Sequence, residues 1–155
     1  KVREVINLTG IPCLSDDTGL EVDALNGAPG VYTARYAGEG CSYYDNVCKL
    51  LEDMQTIPVP NRTAKFKTVI AYKDETTEMT AEGIAEGSIS RASSGDFGFG
   101  YDPIFFIPEA RKTFAEMNID EKEIYSHRGK AIRAIMNTLI PHLEQVRQIT
   151  KKEKA

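Results

Sequence analysis

Residues 62 to 73, RTAKFKTVIAYK, alternate polar with apolar side chains and then become continuously apolar, the pattern of a long strand. Two further runs, 77 to 83 and 84 to 91, read as two more strands, with Gly83 and Gly87 as the breaks that end them. Together the three predict an antiparallel meander, around which the other segments must be arranged. No repeat, low-complexity tract or heptad run points to a different architecture.

With 155 residues and 41% hydrophobic composition, the chain can build one domain with a real core and is too short for two. The expected division is a single domain over 1–147 and a flexible, lysine-rich tail over 148–155. A formal charge of −4 and a pI near 5.3 argue against nucleic acid as the main partner, which needs a basic face. A small anionic substrate needs only a local positive cluster and stays open. No apolar run approaches the roughly 18 residues of a membrane helix, and no leader precedes a cleavage site, so no membrane partner and a cytoplasmic location are expected. Cys13, Cys41 and Cys48 are odd in number and form no C-x-x-C pair, and only His127 and His142 accompany them. That excludes a zinc site of the usual spacing and a disulfide framework, and predicts reduced thiols.

Taken in order, Val2, Val5, Ile6 and Leu8 have helical spacing, with Thr9-Gly10 as a stop. Ile11 to Leu14 predicts a short buried strand that ends in the pair Asp16-Asp17. Two adjacent carboxylates repel, and their partner is either a divalent metal or lysine and arginine from elsewhere; the plainer alternative is an Asx turn ahead of Gly19. Leu20 to Leu25 alternates as a half-exposed strand and ends at the turn pair Asn26-Gly27. Ser42 can cap a helix whose stripe is Val47, Leu50, Leu51 and Met54, with Pro58 and Pro60 beyond its end. Residues 93 to 103 set three glycines among three aromatics, a composition suited to close backbone approach and to stacking on a flat base, although loop packing is the commoner role for any one such aromatic. Ile104 to Ile107 reads as a buried strand and Asp120 to Ile124 as a helical turn or two. Ser126 can cap a longer helix with the stripe Ile132, Ile135, Met136, Leu139 and Leu143, which Pro141 should kink or shorten. His127, Arg128 and Lys130 at the start of that helix would attract an anion, or, if the helix stands alone, are plain surface charge.

The blocks SDDTGLEVDALNGAPGVYTARYAG (15 to 38), FGYDPIFFIPE (99 to 109), KTFAEM (112 to 117) and EKEIYSHRGKA (121 to 131) resemble those of the inosine triphosphate pyrophosphatase family, in the family's order. The resemblance implies a mixed α/β fold on a long, strongly twisted central sheet flanked by helices, with two lobes and a cleft between them, assembled as a homodimer. It implies Mg²⁺-dependent hydrolysis of ITP, dITP or XTP to the monophosphate and pyrophosphate. Asp17 then matches the position that binds metal or activates water, with Asp16 beside it as a second metal carboxylate. Lys1, Thr18 and Gly19 match phosphate-binding positions. Phe99 matches the aromatic that stacks on the base, Gly100, Tyr101 and Asp102 belong to the same pocket, and Lys122, Ser126, His127 and Arg128 match the segment around the base. The family's usual opening, a strand with a T-x-x-N-x-x-K phosphate loop and a metal-sharing glutamate, has no counterpart in the sequence. Its lack predicts a sheet missing an inner strand, with two unpaired edges. The alternative function is a truncated nucleotide-binding or dimerising module with little hydrolysis.

Overall fold

The computed structural model describes residues 1–153, with side chains described through Ile149. Helix α1 (Val2–Thr9) buries Val2 and Ile6, and Gly10 ends it at φ 69°, donating its N–H to the Ile6 carbonyl at 2.8 Å. Strand β1 (Cys13–Val22) leads into a 3₁₀ turn at Asp23–Leu25, and Asn26 at φ 53° and Gly27 reverse the chain into the short β2 (Pro29–Gly30). Ser42 opens α2 (Tyr43–Asp53) with a capping box: its hydroxyl accepts the Asp45 N–H, and the Asp45 carboxylate accepts the Ser42 N–H. Val47, Leu50 and Met54 are buried from that helix as its stripe predicts. The long strands β3 (Thr63–Lys73) and β4 (Glu78–Ile89) follow, then β5 (Phe105–Ile107) and β6 (Lys112–Thr113). Helix α3 (Ile119–Tyr125) is capped by Asn118, and α4 (His127–Glu153) completes the described chain.

The strands form one uninterrupted antiparallel sheet in the order β2-β1-β3-β4-β5-β6, so the fold is mixed α/β. The predicted gap at an inner strand is not found among the described residues. Two stretches are nonetheless open, in keeping with the two unpaired edges expected: β2 covers β1 only at Leu20 and Glu21, so Cys13 to Gly19 pair on the β3 side alone, and β5 covers β4 only at Ser88 and Ile89, so Glu78 to Gly87 do the same. Two other expectations change for a common reason, which is that the ladder runs further than local pattern suggests. Strand β1 does not end at the aspartates, because β3 pairs with it through Asp16 (opposite Ile70) and Asp17 (opposite Val69). Ile11 and Leu14, expected to be buried, are exposed. Nor do Gly83 and Gly87 divide β4, which runs unbroken beside β3. Their missing side chains serve packing instead. A Cβ on Gly83 would strike the His127 carbonyl and the Ala131 amide of α4, and one on Gly87 would strike the Phe106 carbonyl.

Alternation sends Ala64, Phe66, Thr68, Ile70 and Tyr72 of β3 to one face, where they are buried. Phe66 joins Leu20, Leu50, Phe105 and Phe114 in the larger core, while Ile70 and Tyr72 meet Ala131, Ile135 and Leu139 of α4. Helix α1 lies on the opposite face, where Arg3 pairs with Glu78 at 2.8 Å, since Glu78 alternates with the α4-facing Met79. The predicted stripe of α4 is only partly core: Ile135 and Leu139 are buried, whereas Ile132, Met136 and Leu143 remain exposed. Pro141 does not stop the helix, which continues to Glu153, leaving Lys154 and Ala155 of the expected tail outside the described residues.

Just beyond Pro141, His142 reaches back to the β3–β4 hairpin and meets Asp74 at 2.5 Å. Asp74 also accepts the Thr76 and Thr77 N–H groups and the Tyr72 hydroxyl. Burial raises its pKa, but these bonds, His142 first, outweigh burial and hold the carboxyl well below the usual range. Such a group adds stability above its unfolded pKa of about 3.9, and the contribution is lost as pH falls from there towards the folded value. Asp74→Asn is therefore expected to cost about 1–3 kcal/mol at pH 6. Urea midpoints of the two proteins should converge below about pH 4; a gap that stays constant from pH 6 to pH 3 would refute the role of the carboxylate.

Candidate active site

The Ser126 hydroxyl accepts the Gly129 N–H at 2.9 Å and starts α4 where the buried face of the sheet meets the loop at 93–103. This places His127 and Arg128 in the first turn. The His127 ring stacks on Phe66 at 4.6 Å and 19°. Burial above all, with the charges of Arg128, Lys122 and Lys130, pushes its pKa down to about 3, so the imidazole is neutral at ordinary pH. Its Nδ1 is buried without a hydrogen-bond partner among the described residues. Arg128 reaches β1: its Nε and NH2 lie 2.9 and 2.8 Å from Asp16 Oδ2, and NH2 is 3.5 Å from the Thr18 hydroxyl. Thr18 in turn shares a 2.6 Å hydrogen bond with the buried Thr68.

Phe99 projects from the opposite side, 54% exposed, between Gly98 and Gly100 at φ 82° and 63°. The buried Asp102 carboxylate fixes this bend by accepting the Phe99 N–H at 2.7 Å and the Lys122 ammonium at 2.6 Å. A Cβ on Gly98 would collide with that carboxylate. Lys122 also lies 5.4 Å from the Phe99 ring centroid and 5.2 Å from that of Phe114, a doubly cation–π position. Tyr101 is buried beneath, its hydroxyl donating to the Thr33 carbonyl at 2.9 Å, and burial raises its pKa. These elements enclose a mostly apolar cavity of about 160 Å³. Of the residues expected from sequence, Thr18, Phe99, Gly100, Tyr101, Asp102, His127 and Arg128 line it, while Lys122 and Ser126 brace the lining. Thr33, Ala34, Tyr43 and Phe66 also line it and were not foreseen. The alternation of β3 marks Phe66 as buried, but no local signal relates Tyr43 to Phe99.

Asp16 and Asp17 are consecutive in a strand and so point to opposite faces. Asp16 turns with Thr18 towards Arg128. Asp17 turns towards α1, where its Oδ1 receives the Lys1 ammonium at 2.8 Å; that hydrogen bond raises the lysine pKa. Lys1 also lies 3.4 Å from the Asp16 carbonyl. Both expected electrostatic partners are thus basic side chains. Among the described residues no three His, Cys, Asp or Glu side chains converge as a metal cage. A lone exposed carboxylate still suits Mg²⁺, which commonly takes one or two carboxylates and completes its shell with water and substrate oxygens. Asp17, Thr18 and Gly19 line a second, wider hollow of about 530 Å³ with Lys67, Gly30 and Val31. An added Cβ on Gly19 would come within 3.0 Å of the Gly30 carbonyl, so the strand can be crossed closely only while it stays bare. Thr18 is common to both hollows.

The sequence model of the Ham1 family matches residues 1–138. A dITP/XTP pyrophosphatase of Pectobacterium atrosepticum is 45% identical over 142 residues, 90% of this chain and 72% of that protein. One of Desulforamulus reducens is 47% identical over 148 residues, 93% of this chain and 74% of that protein. Among solved structures, the Staphylococcus aureus Ham1 protein superposes with a TM-score of 0.86 at 37% identity, covering 91% of this chain and 73% of the other. A nucleoside-triphosphatase / dITP/XTP pyrophosphatase of Mycobacterium abscessus gives 0.75 at 42% identity, covering 87% and 72%.

Proposed function

Because the chain belongs to the Ham1 family, we propose that it hydrolyses non-standard purine nucleoside triphosphates, dITP, ITP and XTP, to the monophosphate and pyrophosphate. The observation that carries this reading is the aromatic-walled cavity on one face of β1 and, on the other face, the hollow edged by Asp17, the two divided only by the strand at Thr18, whose outer edge is unpaired. The base would enter the first and the phosphates the second.

In this reading Phe99 stacks on the base, and Gly100 and Tyr101 shape the wall beside it. Asp102 acts through Lys122 and the Phe99 N–H to hold that wall, and Ser126 fixes the start of α4. Arg128 offers only donors and so favours the keto oxygen at the purine 6-position over the amino group of adenine, and the one ring N–H of a neutral His127 can join it. Each buried donor left unpaired against adenine costs about 1–3 kcal/mol. Lys1 would move from Asp17 to the phosphate chain, and the backbone at Thr18 and Gly19 would approach the phosphates. Asp17 orients the attacking water or accepts its proton. Asp17 would also hold Mg²⁺, whereas Asp16, the second metal carboxylate expected from sequence, faces the other side of β1 and would hold Arg128 instead. When bound, the ion supplies neutralisation of phosphoryl charge and a more acidic water. We further propose a single domain over 1–147, a cleft between two lobes, a homodimer, and a cytoplasmic setting, in keeping with the absence among the described residues of a helix long and apolar enough to cross a membrane.

The test is pyrophosphate release with Mg²⁺ from dITP and XTP against dATP and dGTP. Equal release from all four would sink the proposed selectivity, and ITP binding without release would leave a binding module. Phe99→Ala should raise KM for dITP by the equivalent of about 1–3 kcal/mol of lost stacking. An unchanged KM would remove Phe99 from the base site.

A further inference from the structure

Tyr43 stands across the mouth of the 160 Å³ cavity from Phe99, with ring centroids 6.1 Å apart and planes at 47°. Both rings are more than half exposed, at 59% and 54%, although each faces a mostly apolar opening. Among the described residues, Phe99 is the one aromatic neighbour of Tyr43, and no hydrogen bond engages the Tyr43 hydroxyl. Its backbone, by contrast, is held firmly. Tyr43 follows the Ser42–Asp45 capping box, and Asn46 one turn on is buried and bonds to the Ala37 N–H at 2.8 Å and the Ala34 carbonyl at 3.2 Å. One wall of the opening is therefore fixed on a helix, while the other sits on a loop whose bend depends on Gly98 and Gly100.

We propose that Tyr43 is the second wall of the base site, an aromatic plate opposing Phe99 so that the purine is held between two rings; this rests on the nucleotide-binding reading above. A flat base between two plates needs about 3.5 Å on each side, roughly 7 Å in all. The 6.1 Å spacing falls just short of this and the planes meet at 47°, so the two half-exposed side chains must turn to level and widen the gap while Asp102 holds the Phe99 backbone. Stacking is indifferent to base identity, because every base has a π-face. Tyr43 thus strengthens binding of all purines alike and leaves discrimination at the 6-position to the start of α4.

The experiment uses the full chain and inosine monophosphate, whose binding is read by calorimetry without hydrolysis, alongside KM for dITP and dATP. Tyr43→Ala should weaken inosine monophosphate binding about tenfold, the equivalent of 1.4 kcal/mol, and raise both KM values by a similar factor. The dITP-to-dATP preference should not change. Tyr43→Phe should restore affinity, and Tyr44→Ala, next to it but outside the cavity lining, should have no effect. Affinity within twofold of wild type in Tyr43→Ala, equal weakening in Tyr44→Ala, or a changed dITP-to-dATP preference would each overturn the proposal while leaving the enzymatic reading in place. A wild-type chain that neither binds the monophosphate nor releases pyrophosphate would overturn both.

Discussion

Asp17→Asn is expected to lower pyrophosphate release from dITP by about two to four orders of magnitude, the range associated with a positioned proton acceptor. The fold should survive. The Asp17 side chain is 81% exposed and, among the described residues, pairs only with the 63% exposed side chain of Lys1, and ion pairs in such settings contribute little to stability. The substitution keeps the shape of the side chain and removes its charge and proton affinity, so a rate loss at unchanged melting temperature isolates the chemistry. Turnover within tenfold of wild type would remove Asp17 from the catalytic role. Asp16→Asn makes an informative companion, because its carboxylate holds Arg128 on the other face of β1. Its effect should fall more on KM than on kcat.

Gly83→Ala should be the most damaging single methyl in the protein's centre, destabilising it by about 3 kcal/mol, the upper end of typical overpacking costs. The new Cβ would point at the backbone of α4, at the His127 carbonyl and the Ala131 amide, and backbone atoms cannot turn aside as a flexible side chain does. The helix has to rise from the sheet, and His127 and Arg128 rise with it. Chemical denaturation should therefore show lost stability, and the residual folded protein should bind nucleotide more weakly. A wild-type denaturation curve would mean that α4 is not seated on β4 as described.

Some of this was legible in sequence because the signals are local. The Ser42 cap, the Gly10 stop, the Ser126 start of α4 and the alternation of β3 depend on hydrogen bonds and side-chain directions within a few residues, and each appears where expected. Three of the four motif blocks, 15 to 38, 99 to 109 and 121 to 131, likewise contribute residues that line one cavity. Other features needed the third dimension. The glycines at 83 and 87 carry the same local signal whether they break a strand or admit a neighbour, and only the arrival of α4 and β5 decides between the two. Asp16 and Asp17 read as one charged site because they are adjacent; a strand sends neighbours to opposite faces, and pairing with β3 through both residues makes that stretch a strand. The exposed half of the α4 stripe has the periodicity of its buried half, and the difference lies in which side meets the sheet. Tyr43 and Phe99 are far apart in the chain and share no local pattern. What the sequence determined by itself was therefore the kind of most elements, the capped helix ends and the inventory of reactive groups, since those are short-range properties. Which groups face one another was decided only by the tertiary structure, because facing depends on strand register and on helix seating, and these are set by contacts between residues far apart in the chain.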